Sequence, residues 1–194
     1  MNPLEPVAVA LGLINITLLV RRSIWNFPFG IAMVALYAVI FFRARLYAEA
    51  GLQVFFAVVQ IYGWSLWVRA GGAAEKVDVR WLGWEARFRW LIAIAILAGA
   101  LGTALDRFTD AAAPYSDAAI AAASIAAQFL LSFRRIENWV LWIAIDFGAI
   151  ALYFTRDLHL TAALYCVFLV LSVLGLREWA KATVPAAHRD GETA

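Results

Sequence analysis

Long apolar runs, separated by short polar segments, make up most of this 194-residue chain. A helix needs roughly 17 to 25 residues to cross a hydrocarbon core of about 30 Å, so runs of that length indicate membrane spans. Barrel strands would alternate apolar and polar residues, which these runs do not. The sequence therefore predicts an all-α integral membrane protein with seven transmembrane helices. The runs cover residues 7–20, 24–42, 46–68, 88–105, 117–133, 137–154 and 158–179.

Composition supports a lipid environment and excludes several classes of protein. Apolar residues make up 64% of the chain and charged residues 15%, whereas soluble domains are about half apolar and a quarter charged. Cys166 is the single cysteine, so no disulfide framework or cysteine-based metal cluster is expected. The basic residues are scattered, which argues against nucleic acid as a partner, and no cofactor is predicted. Residues 1–20 contain only Glu5 as a charge, so a cleaved signal peptide is not expected.

The basic residues between the runs indicate how the chain is oriented. Lysine and arginine concentrate on the cytoplasmic side of membrane proteins. Twelve of the 16 basic residues fall on one side of the predicted spans, and only Arg43, Arg45, Arg107 and Arg156 fall on the other. This asymmetry predicts a cytoplasmic loop over residues 70–87, a cytoplasmic C-terminus and an outer N-terminus. Tryptophans at the predicted boundaries are expected to act as interfacial anchors.

The two halves of the chain resemble each other when one is shifted by 112 residues. The shift maps spans one to three onto spans five to seven and leaves span four as an unpaired connector. A displacement of four spans preserves orientation, so the two three-helix repeats are parallel, and such transporters bind their solute near the midplane. The predicted division is 1–69 for the first repeat, 70–116 for the loop, connector helix and outer loop, 117–181 for the second repeat and 182–194 for a polar tail. The matching pairs are Arg22 and Arg134, Asn26 and Asn138, Leu46 and Leu158, Tyr47 and His159, Gly63 and Gly175, and Trp67 and Trp179.

Polar and aromatic side chains within the spans are the candidate binding residues. Polar groups are costly in hydrocarbon, so they are expected to face a cavity or a neighbouring helix. Helical spacing places the candidates on one face of each span, and aromatic rings with amides suit a flat heteroaromatic solute that carries hydroxyl or amide groups. The candidates are Gln53, Gln60, Trp64 and Trp67 in span three, Gln128 in span five, Asn138, Trp142 and Asp146 in span six, and Trp179 in span seven.

Structural roles for several polar residues stay open at this point. A lone glutamine or asparagine in a span commonly forms an interhelical hydrogen bond, and this reading applies to Asn15 and Gln53. Ser172 is expected to bond a local backbone carbonyl, and the aromatic pairs could simply pack. Asp146 is the ionisable side chain nearest the middle of a span, so both a ligand contact and a gating role are open for it.

No catalytic set can be drawn from the sequence. His159 and His188 are predicted at or outside membrane boundaries, and neither has a partner four residues away with which to bind a metal. No phosphate-binding loop of the GxxxxGK type occurs. The sequence therefore favours secondary transport or facilitated diffusion over an enzyme. A membrane enzyme, or a sensor without a transport cycle, is the competing hypothesis.

Two blocks of the chain resemble the PnuC family of bacterial vitamin transporters. Residues 25–67 contain LYA, LQVFF and IYGWxxW, and residues 136–179 contain IENWVLWIAID and LTAALYCVFLVLSVLGLREW. The resemblance implies a fold of three, one and three helices, a homotrimer in the bacterial inner membrane, and uptake of nicotinamide riboside down its gradient with trapping by a separate cytoplasmic kinase. Thiamine or riboflavin is the alternative substrate. The candidate residues lie on the same motifs, where tryptophan rings would stack the base and amides would bind the ribose or carboxamide.

Overall fold

The structure is a computed structural model that describes residues 4–43, 47–71, 77–109, 113–155 and 159–183. The predicted all-α fold with two parallel three-helix repeats and a connector helix is confirmed, and each helix lies within a few residues of its predicted run. The pair Leu46 and Leu158, His188, and most of the predicted tail lie outside the described residues. The helices are α1 (Glu5–Val20), α2 (Asn26–Arg43), α3 (Tyr47–Arg69), α4 (Trp84–Phe108), α5 (Pro114–Ser132), α6 (Glu137–Thr155) and α7 (His159–Lys181).

Four stretches of helix are long and apolar enough by themselves to cross a membrane. They are α2, α4, and the segments Ala50–Arg69 of α3 and Ala163–Lys181 of α7, within the described residues. The shorter apolar helix Pro6–Val20 belongs to α1. Packing of α1, α5 and α6 among the other helices gives them neighbours for the polar groups that they carry.

The first helix of each repeat ends in the same way. Arg22 follows α1 and Arg134 follows α5, and both adopt the left-handed conformation, with φ of 57° and 59°. Their N–H groups bond Leu19 O and Leu131 O at 2.9 Å, which satisfies carbonyls of the last helical turn. Glycine usually occupies this position because a side chain there costs about 1 kcal/mol. The repeated arginine therefore fixes two equivalent sharp turns without glycine.

The packing of the helices shows how the repeats meet. Within each repeat the second helix packs against the first and the third, while the repeats contact each other through α3 with α5 and through α1 with α7. These two interfaces exchange when the repeats are interchanged, as parallel repeats around one axis require. Among the described helices α4 packs only against α5, where Gly102 lies against the ring of Tyr115.

Two reciprocal hydrogen bonds join the repeats. The indole N–H of Trp67, on α3, donates to Leu131 O at 3.3 Å, and the indole N–H of Trp179, on α7, donates to Leu19 O at 3.1 Å. Trp67 and Trp179 are a matching pair, and Leu19 and Leu131 are also 112 residues apart. In both bonds the third helix of one repeat therefore donates to a carbonyl at the end of the first helix of the other repeat.

Four buried rings fill the space between these bonds, and we call them the aromatic layer: Phe27, Trp67, Trp139 and Trp179. Phe27 meets Trp67 edge to face at 5.2 Å, and Trp139 meets Trp179 in the same way at 5.6 Å. The two central tryptophans are 6.0 Å apart. Gly175 permits this packing, because a Cβ there would lie 2.5 Å from the ring of Trp139.

Residues 77–80, which precede α4, cover the aromatic layer at the basic end of the bundle. Val77 and Val79 are buried in the same core as the four rings. Arg22 Nη1 donates to Val77 O at 3.2 Å, and the backbone of Arg80 pairs with the turn after α5. This end of the space between the repeats is therefore closed by rings and by a backbone segment held from both repeats.

The reciprocal bonds predict equal effects for two substitutions in different repeats. Trp67→Phe and Trp179→Phe each remove the N–H donor and part of a buried ring, so each should lower the free energy of unfolding by about 1 to 3 kcal/mol. Trp84→Phe is the matched control, because Trp84 is 79% exposed, and it should cost less than about 0.5 kcal/mol. Unfolding in a mixed-detergent titration measures all three. A loss confined to one repeat would contradict the reciprocal arrangement.

Candidate functional site

Residues spaced by seven along α3 and α7 define three depths in the bundle. Seven helical residues rise by about 10 Å, or close to two turns. Trp67 and Trp179 lie in the aromatic layer, and Gln60 and Ser172 lie two turns deeper, where both are buried. Gln53 lies two turns deeper again and is half-buried. We call the middle depth, with the side chains that meet Gln60 and Ser172 there, the polar level.

The first repeat brings two amides to the polar level. The carboxamide of Gln60 on α3 lies against Gly30 of α2, and a Cβ built on Gly30 would overlap its Oε1. Asn15 of α1 also approaches this point, because its Nδ2 would lie 3.0 Å from that Cβ. All three helices of the repeat therefore meet at one point, and glycine is required there by the close approach of the two amides.

The second repeat brings a carboxylate to the same depth. Ser172 Oγ donates to Asp146 Oδ2 at 3.0 Å, and both side chains are buried. Ser172 matches Gln60 in the repeat, whereas Asp146 matches Val34. The expected bond from Ser172 to a local carbonyl is therefore wrong, since the hydroxyl holds the carboxylate instead. Ser172 bonds Oδ2 of Asp146, so a ligand would approach the carboxylate at its other oxygen, Oδ1.

Trp142 and Gln128 complete the polar level. Trp142 precedes Asp146 by one turn on the same face of α6, and its repeat counterpart is Gly30, so the second repeat places a half-buried indole where the first has no side chain. Gln128 of α5 follows the counterpart of Asn15 by one residue and is 8% exposed. The level thus combines a flat ring, a carboxylate and amides from both repeats.

Other candidate residues lie away from this level. Trp67 and Trp179 are fully buried in the aromatic layer, with their N–H groups committed to carbonyls. Asn138 is also fully buried, and its Nδ2 donates to Arg135 O at 2.6 Å, as Asn26 donates to Ser23 O at 2.7 Å. These amides brace matching turns. Trp64, on α3, lies between the aromatic layer and the polar level and is 37% exposed.

The structure thus brings Gln60, Gln128, Trp142 and Asp146 to one depth and separates them from Gln53, Trp67, Asn138 and Trp179. Sequence reasoning did not include Asn15, Gly30 or Ser172 in the binding set. A signal for Gly30 was present, because the shift of 112 residues aligns it with Trp142. Gly30 and Trp142 are the one matching pair in which one repeat has an aromatic ring and the other has a glycine.

Comparison with known proteins identifies the family. A family model described as nicotinamide mononucleotide transporter matches residues 2–181. The chain belongs to this family of membrane transporters. The nicotinamide riboside transporter PnuC of Escherichia coli (strain K12) is 28% identical over 201 residues, which covers 91% of this chain and 84% of that protein. The PnuC of Neisseria mucosa is 30% identical, over 92% of this chain and 72% of that protein.

Further relatives confirm the fold and include a protein named for the transport of another vitamin. The riboflavin/roseoflavin transporter RibM of Streptomyces davaonensis is 28% identical, over 90% of this chain and 83% of that protein. The crystal structure of the vitamin B3 transporter PnuC superimposes with a TM-score of 0.77 at 26% identity, covering 93% of this chain and 83% of that one. The resemblance to the PnuC family found from the sequence motifs is therefore confirmed.

The contact at Gly30 predicts a defect in transport without loss of the fold. In Gly30→Ala the new methyl group must displace the Gln60 carboxamide, a flexible side chain, so uptake of the vitamin should fall at least about tenfold while the protein still folds. Gly148→Ala is the matched control, because nothing lies within 4 Å of a Cβ at Gly148. Uptake into liposomes and the melting temperature are measured in parallel. Normal uptake in Gly30→Ala would show that the two amides do not touch the solute.

Proposed function

We propose that this protein carries nicotinamide riboside across the bacterial inner membrane by facilitated diffusion. The observation that carries the proposal is the polar level between the repeats, where Trp142, Asp146 and the amide of Gln60 lie at one depth. Relatives named nicotinamide riboside transporters support the same substrate. The positive-inside asymmetry supports an outer N-terminus and a cytoplasmic C-terminus.

The chemistry of the polar level suits a nicotinamide riboside cation. Its pyridinium ring is flat and positively charged, so it can stack on the indole of Trp142 and be neutralised by the Asp146 carboxylate. Its carboxamide both donates and accepts hydrogen bonds, as do the amides of Gln60 and Gln128. The ribose hydroxyls can donate to Oδ1 of Asp146, since Ser172 bonds Oδ2. Each part of the solute therefore has a partner of matching chemistry at one depth.

The charges at the site favour the riboside over the mononucleotide. A nucleotide phosphate carries about two negative charges and requires basic partners when it is buried. The buried polar side chains of the described residues are Asn26, Gln60, Gln128, Ser132, Asn138, Asp146 and Ser172, and none of them is basic. The Asp146 carboxylate would repel a phosphate. The charges therefore favour transport of nicotinamide riboside by this chain over transport of the mononucleotide after which the family is named.

Riboflavin is the second candidate, because RibM is as similar to this chain as the PnuC of Escherichia coli is. Its ring system is neutral and larger, so it would gain little from a buried carboxylate and would need more room beside Gly30. Thiamine is cationic, and its thiazolium ring could also pair with Asp146. The riboside is preferred because it alone of the three carries a carboxamide to match the two glutamines.

The transport cycle that we propose opens and closes the aromatic layer. Rocking of the two repeats about the polar level would break the bonds from Trp67 to Leu131 O and from Trp179 to Leu19 O together, because they are equivalent. A separate cytoplasmic kinase would then trap the released riboside, and the protein would act as a homotrimer. The resemblance to the PnuC family supports these last two steps. Its relatives are named as transporters, which supports a carrier and not an enzyme.

Parallel titrations of the purified protein test the substrate. Calorimetry with nicotinamide riboside should give micromolar or tighter binding, while nicotinamide mononucleotide should bind at least about tenfold more weakly, because its phosphate meets the carboxylate. Riboflavin and thiamine serve as the comparison ligands. Binding of riboflavin or thiamine with no signal from the riboside would overturn the assignment.

The carboxylate predicts a difference between charged and neutral ligands. Asp146→Asn keeps the shape and can still accept the bond from Ser172, but it removes the charge, so riboside affinity should fall about 10- to 100-fold. Any affinity for neutral riboflavin should change by less than about threefold. Asp117→Asn is the control, since Asp117 is exposed at the start of α5. An equal loss for charged and neutral ligands would assign Asp146 a structural role.

A further inference from the structure

Three arginines are held side by side where α5 turns into α6. The backbone N–H of Arg80 donates to Arg134 O at 3.1 Å, and the N–H of Ile136 donates to Arg80 O at 3.2 Å. These bonds pair Arg80 with Arg135 as in a short parallel bridge. Arg134 is the residue whose left-handed conformation ends α5. The backbone therefore brings three arginines together at one end of the bundle.

Two neighbouring cavities share this cluster. The smaller, of about 120 Å³, is lined by all three arginines together with Asp78 and Phe133. The larger, of about 360 Å³, shares Phe133, Arg134 and Arg135 with it and continues along an apolar wall. The combined space has a basic end and an apolar end. Its apolar wall is formed by Leu66, Leu82, Trp90 and Leu130.

Asp78 offsets only part of the positive charge of the three arginines, and within the described residues none of the three forms an ion pair. The neighbouring carboxylate of Glu137 pairs through Oε1 with Arg87, at 2.8 Å. Desolvation and then Arg80 lower the pKa of Arg134, Arg135 lowers it further, and only Asp78 raises it. By contrast Arg22, the repeat counterpart of Arg134, donates to Val77 O.

We propose that the cluster of Arg80, Arg134 and Arg135 binds the phosphate headgroup of an anionic membrane phospholipid. Arginine matches phosphate oxygens in geometry and charge, and basic pockets between spans are sites for such headgroups. The apolar wall continues from the arginines along α3, α4 and α5, which is where an acyl chain attached to the headgroup would lie. Exposed Trp81 and Trp84 mark the same depth as a membrane boundary.

A phospholipid explains both ends of the space, whereas a free phosphate explains only one. Inorganic phosphate would satisfy the arginines and leave the wall of Leu66, Leu82 and Trp90 without an occupant. A neutral lipid would fill the wall and leave the arginines uncompensated. The site is also separate from the polar level, since its residues lie at the ends of helices and on the segment before α4. Its test is therefore independent of which vitamin the protein carries.

Native mass spectrometry of the full chain in detergent tests the proposal with phosphatidylglycerol and phosphatidylcholine of identical acyl chains. Phosphatidylglycerol should bind more tightly, and Arg134→Gln with Arg135→Gln should reduce its affinity about fivefold for each arginine removed. Arg80→Gln is a milder variant, because the backbone and not the side chain of Arg80 makes the pairing bonds. Arg21→Gln with Arg69→Gln is the matched control, since both arginines are exposed at the same end, and it should keep the preference.

Three results would overturn the proposal. The first is equal binding of the two lipids by the unaltered protein. The second is a preference for phosphatidylglycerol that survives in both Arg80→Gln and the Arg134 and Arg135 double variant. The third is displacement of the lipid by inorganic phosphate at the same concentration as the lipid, which would make a soluble anion the ligand. Gel filtration of each variant confirms that the protein remains folded.

Discussion

The two indole-to-carbonyl bonds between the repeats are the constraint on which the rest of the structure depends. A buried indole N–H that lacks water is costly when unpaired, so each of these two bonds to a protein acceptor stabilises the fold. The carbonyls of Leu19 and Leu131 are reachable because a left-handed arginine ends each helix in a sharp turn. Backbone conformation in one repeat thereby positions a ring of the other. The aromatic layer and the segment that covers it follow from this exchange.

The same backbone carries different chemistry in the two repeats, and that difference makes the site. Symmetry would give two identical half-sites, which suit a symmetric ligand. Gly30 corresponds to Trp142 and Val34 corresponds to Asp146 in the 112-residue shift, so only the second repeat supplies the ring and the charge, while both repeats supply amides. A riboside is asymmetric in the same sense, with a cationic ring at one end and hydroxyls at the other. The shared backbone of the two repeats forms the space between them, and the side chains that differ between the repeats determine which solute fits.

The fold was predictable from the sequence because hydrophobicity and length alone determine spans, while the 112-residue shift fixes their order. The site was predictable only in part. Helical spacing placed Gln60 and Trp67 on one face correctly, but a shared face does not state what each residue meets at its own depth. Trp67 meets a carbonyl, and Gln60 meets Gly30. Ser172 illustrates the same limit, because its partner lies 26 residues away on another helix.

At the closed end of the bundle, buried polar atoms of the second repeat lack hydrogen-bond partners among the described residues. Trp139 is the counterpart of Phe27, and its buried indole N–H has no partner among the described residues, nor has the buried Oδ1 of Asn138. An unpaired buried polar atom costs about 1 to 3 kcal/mol, and Phe27 carries no such atom. Among the described residues the second repeat therefore leaves polar atoms unpaired beside the aromatic layer, on the helix that also carries Asp146 and Trp142. The two repeats share their backbone plan and differ in the polar groups that α6 adds to it.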